Sequence, residues 1–132
     1  MLKEYSVRTH ASVQMVQIDH LVQEAVEASG VRDGILVLWV PHTTAAVTIN
    51  ENADPAVVHD LIYEINKIVP LQDHYEHMEG NSAAHLKSSL FGPSLTMILS
   101  GGRPVLGTWQ SVYFCEFDGP RNRKLYIKIT EG

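Results

Sequence analysis

Polar and apolar residues alternate from Lys3 to His10, with Tyr5 and Val7 on one face, and again from Ser12 to Ile18 through Val13, Met15 and Ile18. A period of two predicts two half-buried strands at the start of the chain. The period then lengthens. Leu21, Val22, Ala25, Val26 and Ala28 follow helical spacing between Asp19, an N-cap type, and Gly30, a helix stop, which predicts a helix over 20–29. Beyond the Asp33-Gly34 turn, Ile35 to Val40 is apolar without interruption and rich in β-branched and aromatic residues, which predicts a strand buried on both faces.

That strand ends at Pro41-His42, and Ala45 to Asn50 reads as another, leaving His42, Thr43 and Thr44 at a strand junction. Asp54 as cap and Pro55 at the first helical position open a longer helix through Val57, Val58, Leu61, Ile62, Ile65 and Ile68, which Pro70 stops. Residues 71–81 show no periodicity and hold His74, Tyr75, His77, Glu79 and Gly80, the side chains of a functional loop. Ser82 caps a short helix that Gly92-Pro93 ends, and strands follow over 94–99, 108–117 and 124–130. No linker divides the chain, so the prediction is one α+β domain over 1–132.

Composition narrows the function. The 132 residues are 45% hydrophobic and 19% charged, a globular balance that excludes intrinsic disorder. Without an apolar run long enough to span a bilayer or the apolar core of a signal peptide, the expectation is no membrane and a cytoplasmic protein. A net charge of −5 argues against nucleic acid as partner. The single cysteine, Cys115, lies in a strand pattern and reads as a packing residue. Seven histidines are the outlier.

His10, His20 and His59 fall where structural or solvent-facing roles suffice, whereas His42, His77 and His85 stand near element ends, where side chains can converge. Three imidazoles with an open fourth position make a catalytic zinc-type site. Their spacing matches no compact metal motif, so separate hydrogen bonds are the alternative, and His74 competes with His77. Glu51 has no capping duty and is the leading general acid/base candidate against simple exposure to solvent. Lys87 and the Gly101-Gly102-Arg103 turn are placed to meet an anion. Thr43 and Thr44 offer a binding rim, and Thr108 and Gln110 share one face of a predicted strand.

The segments 41–46, 49–55, 77–87 and 107–110, together with 116–121, closely resemble the YjbQ-like family over nearly the whole chain. The resemblance implies an α+β domain with a mixed, strongly curved sheet of about seven strands, two main helices and one short helix, assembled as a homotrimer. It also implies a histidine-bound divalent metal, with His42, His77 and His85 as ligands and zinc as the cation that suits them. Glu51 and Lys87 then become catalytic candidates, and Thr43, Thr44, Asn81, Arg103, Thr108 and Gln110 substrate-binding candidates.

Family members are described as secondary thiamine-phosphate synthases, so the leading expectation is a metal-dependent transferase acting on a small anionic or phosphorylated substrate. It would join a pyrimidine diphosphate to a thiazole phosphate. The alternatives are a metal-dependent hydrolase of phosphate or amide bonds and a non-catalytic trimeric protein that binds metal or ligand.

Overall fold

The computed structural model describes residues 2–132. In chain order the elements are β1 (Leu2–Arg8), β2 (Gln14–Gln17), α1 (Asp19–Ser29), β3 (Gly34–Trp39), β4 (Ala45–Glu51), α2 (Pro55–Ile68), α3 (Ser82–Phe91), β5 (Ser94–Ser100), β6 (Arg103–Pro104), β7 (Gln110–Glu116) and β8 (Asn122–Glu131). The class is α+β, as expected, and the strongly curved β structure divides into two sheets. One has five strands in the order β1-β8-β3-β5-β6, the other three in the order β2-β7-β4, and the paired strands run antiparallel.

Two cores make three layers. Inward residues of the five-stranded sheet, among them Val7, Leu36, Leu38, Leu125 and Ile127, pack with Val22 and Val26 of α1 and with Val47, Val112 and Phe114 of the smaller sheet. The other face of the smaller sheet, through Ala46, Tyr113, Cys115 and Phe117, packs with Ala84 and Phe91 of α3 and Val58 of α2. The period-two alternation of β7 therefore serves two cores, one per face. Cys115 is fully buried there as the packing residue expected, and burial pushes its thiol up to about 12.

Several local expectations shift. Asp19 is the first residue of α1, and its carboxylate caps nothing in that helix. It accepts from the Val112 N–H at 2.7 Å and from Gln17 Nε2 at 2.9 Å, tying α1 to the smaller sheet. Asp54 does cap α2, accepting from the Ala56 N–H at 2.9 Å, with Pro55 at the helix start as predicted. Ser82 lies inside α3, whose N-cap is Asn81 without a side-chain cap bond. β3 buries only Gly34, Leu36 and Leu38, while Ile35 and Trp39 point outward and are exposed. Burial on both faces, expected from its apolar run, is not realised within one chain.

Candidate functional site

Residues from α3, α2 and the β7–β8 turn meet in a cleft of about 330 Å³ lined by Ser12, Asn66, Asn81, Lys87, Phe117 and Asp118, among others. Lys87 projects from α3 and is only 4% exposed. Its ammonium donates to Asn66 Oδ1 of α2 at 2.5 Å, and no carboxylate among the described residues pairs with it. Burial holds its pKa below the usual lysine value. Asn81 donates through Nδ2 to Asp118 Oδ2 at 3.0 Å, while its Oδ1 is buried without a partner among the described residues.

Asp118 also receives Arg121 Nη2 at 2.8 Å, so its charge is already balanced at the rim. The wall carrying Asp118 is held from beneath by Glu116. Its carboxylate accepts from the Asp118 N–H at 3.0 Å, from Thr9 Oγ1 at 2.8 Å and from Arg123 Nε at 2.8 Å, with Arg123 Nη2 on the second oxygen. Burial alone would raise this carboxyl, but the hydrogen bonds from Arg123, Asp118 and Thr9 outweigh it and keep the pKa below the ordinary carboxylate value.

The remaining predicted residues lie in separate places. His42, Thr43 and Thr44 line a broad groove with Arg121 and Arg123, where Thr44 Oγ1 accepts from Arg123 Nη2 at 2.9 Å. His42 Nε2 accepts the Lys124 N–H at 2.9 Å, so the neutral ring carries its proton on Nδ1. Burial, then the Arg123 charge, lowers its pKa and favours that neutral form. His77, exposed in the loop, meets His85 of α3 edge to face with ring centroids 5.4 Å apart.

Glu51 closes β4, with Gln110 opposite it in register and Thr108 exposed nearby. Ser88 of α3 donates to the Ala45 carbonyl at 2.7 Å, which sets α3 at the start of β4. Six residues of strand rise then separate Glu51 from that end by roughly 20 Å. The two expected catalytic residues, Glu51 and Lys87, are thus not brought together within one chain. Arg103 is exposed on the β5–β6 hairpin. Sequence reasoning missed Asn66 and Ser12, whose positions carry no signal in the periodicity, and the role of Asp118 as a cleft wall.

Residues 3–132 match the family described as UPF0047 protein YjbQ-like. UPF0047 protein MJ1081 of Methanocaldococcus jannaschii is 50% identical over 98% of this chain and 94% of its own length, and UPF0047 protein YugU of Bacillus subtilis is 45% identical over 98% of each. Among solved structures, an uncharacterized conserved protein of the YjbQ/UPF0047 family from Clostridium acetobutylicum superposes with a TM-score of 0.95 at 51% identity, covering 97% of this chain and 99% of that one. Hypothetical protein APE1520 from Aeropyrum pernix K1 gives 0.95 at 34% identity, covering 100% and 99%.

These names designate a family and state no activity. The expectation of a metal-dependent enzyme that forms thiamine phosphate is thereby corrected, because the relatives' names support no such function and the ligand set does not assemble among the described residues. Among the described residues no three His, Cys, Asp or Glu side chains converge as a group able to hold a metal. His77 and His85 meet, but the Nε2 lone pair of His42 is already committed to a backbone N–H.

Proposed function

Because the chain belongs to the YjbQ-like family UPF0047, whose members' names leave the activity open, we propose from the cleft itself that the protein binds a small anionic or phosphorylated metabolite over Lys87. The observation that carries this reading is Lys87, a residue only 4% exposed, whose ammonium lines the cleft and pairs with no carboxylate among the described residues, since Asp118 in the same cleft is taken by Arg121. A buried cation without a counter-charge is costly, and a ligand anion is what would compensate it. Of the three N–H groups on the ammonium, Asn66 takes one and two remain for ligand oxygens.

The start of α3 borders the same cleft through Asn81, Ala83 and Ala84, and no side chain caps it. The positive end of the helix dipole there adds to the attraction for an anion. Val13, Leu71 and Phe117 supply apolar wall for the body of a metabolite. The test is calorimetric titration with inorganic phosphate and pyrophosphate. Lys87→Met should weaken binding at least tenfold and Asn66→Ala less, since Asn66 only steadies the ammonium. Absence of binding by the wild type at millimolar anion, or equal binding by Lys87→Met, would overturn the reading.

The homotrimer implied by the family resemblance belongs to the same proposal. One feature supports it: α2 leaves an apolar groove uncovered between Val57, Leu61, Ile65, Ile68 and Phe91. Light scattering gives the mass. Weakened pyrophosphate binding by Glu51→Gln or Gln110→Ala would support a shared cleft.

A further inference from the structure

The broad groove at the end of β3 gathers hydrogen-bond donors rather than acceptors. Arg123 is only 3% exposed, and Glu116 holds one edge of its guanidinium through Nε and Nη2, with Thr44 Oγ1 also on Nη2. Nη1 lies away from that edge and has no partner among the described residues. It is not sealed in, because the sealed side-chain atom without a partner among those residues is Asn81 Oδ1, and the open space that Arg123 borders is this groove of about 520 Å³. His42 adds a second donor. Its Nε2 accepts the Lys124 N–H, so the neutral ring carries its proton on Nδ1, and that N–H has no acceptor among the described residues. The hydroxyl of Thr43 and Nη1 of Arg121, both on exposed residues, complete the set.

Charge decides what these donors take. Glu116 balances Arg123 and Asp118 balances Arg121, while burial and the Arg123 charge keep the His42 ring neutral, so the groove offers N–H groups without a surplus of positive charge. The Lys87 cleft is the reverse case, with a cation that nothing balances. A phosphate dianion in the groove would bring two negative charges where none is called for, whereas a carboxylate brings one, spread over two oxygens that accept from paired N–H groups. We propose that this groove binds the carboxylate of a small organic acid, at a site separate from the Lys87 cleft and independent of what that cleft holds.

The walls fit the carbon body of such an acid. Trp39, Pro41 and Pro93 line the groove beside the donors, and Trp39 is 49% exposed. An open indole face next to aimed N–H groups suits a flat or aromatic acid, which stacks on the ring while its carboxylate meets Arg123 and His42. No acid of the chain competes for the place. Glu116 is fully buried with both oxygens engaged, and Asp118 is turned to Asn81 and Arg121.

Titrations with benzoate, acetate and inorganic phosphate, followed by backbone amide NMR, test it. Benzoate should saturate in the millimolar range with shifts at Thr43, Arg123 and Lys124, acetate should move the same amides at higher concentration, and phosphate should leave them unmoved. His42→Phe and Thr43→Val should each weaken benzoate by about tenfold, the worth of a hydrogen bond to a charged group. Trp39→Ala should bring benzoate down to the affinity of acetate, and Lys87→Met should bind benzoate as the wild type does. Thr43 is exposed, so Thr43→Val decides the matter even if His42→Phe, which also releases the Lys124 N–H, does not fold. No benzoate shift at these amides, wild-type affinity in both donor variants, or tighter binding of phosphate than of benzoate at the groove would overturn the proposal. Benzoate binding lost in Lys87→Met and kept in Thr43→Val would overturn it while leaving the Lys87 reading intact. Benzoate bound at the groove by a protein that takes no phosphate at Lys87 would do the reverse.

Discussion

Glu116 shows how one buried carboxylate organises a neighbourhood. It is fully buried and shares its two oxygens among Arg123, Thr9 and the Asp118 N–H, so removing it strands a buried guanidinium. Glu116→Ala should cost about 3–5 kcal/mol in urea denaturation, the usual penalty for breaking a buried pair from one side. The sign of its pH dependence follows from a folded pKa held below the unfolded one. The stabilisation is fully present above the unfolded value and is lost as pH falls through the folded value, where the chain must take up a proton to fold. Wild-type stability should therefore fall on acidification below about pH 4, and that part of the slope should be missing in Glu116→Gln. Gly34 is constrained by space, because a Cβ there would lie 2.1 Å from the Thr130 carbonyl oxygen of β8. Gly34→Ala should push β3 and β8 apart and lower stability by on the order of 2–4 kcal/mol, measurable by thermal melting.

At the scale of elements, α2 and α1 are opposites. α1 buries Val22, Ala25 and Val26 and is tied to β7 through Asp19, whereas α2 buries none of its residues in the chain as described. A helix with so little packing draws its order from its own ends. Asp54→Ala, which removes the cap on the Ala56 N–H, should weaken α2 by about 1 kcal/mol, seen as faster amide exchange within α2 while the sheets keep their protection. Asn66 links this loosely held helix to Lys87, so disturbing α2 should also weaken phosphate binding.

On the scale of the whole molecule, the Lys87 cleft sets function against stability. An ammonium buried without a counter-charge opposes folding, and an apolar residue of similar shape removes that cost. Lys87→Met should raise Tm by about 3–5 °C for each kcal/mol gained, and it should abolish the rise that pyrophosphate produces in the wild type. Thermal scans with and without pyrophosphate read both effects. A purely structural lysine would give the opposite pattern, with a lower Tm and no loss of ligand response.

The sequence by itself determined the elements, because helical and strand periods are local properties. The α1 pattern ending at Gly30, the Asp54-Pro55 start of α2 and the unpatterned 71–81 stretch all stand in the fold. It also marked Lys87 and Asn81, which share one cleft. Only the tertiary structure decided what meets what. Long-range pairing sets Asn66 on Lys87, commits His42 Nε2 to Lys124 and leaves Glu51 at the far end of β4, and none of these is encoded in spacing along the chain. The Ile35-to-Val40 run shows the limit most plainly. Its hydrophobicity records that both faces of β3 prefer to be covered, but periodicity cannot say whether the cover comes from the same chain or another, because a buried face has the same composition in either case.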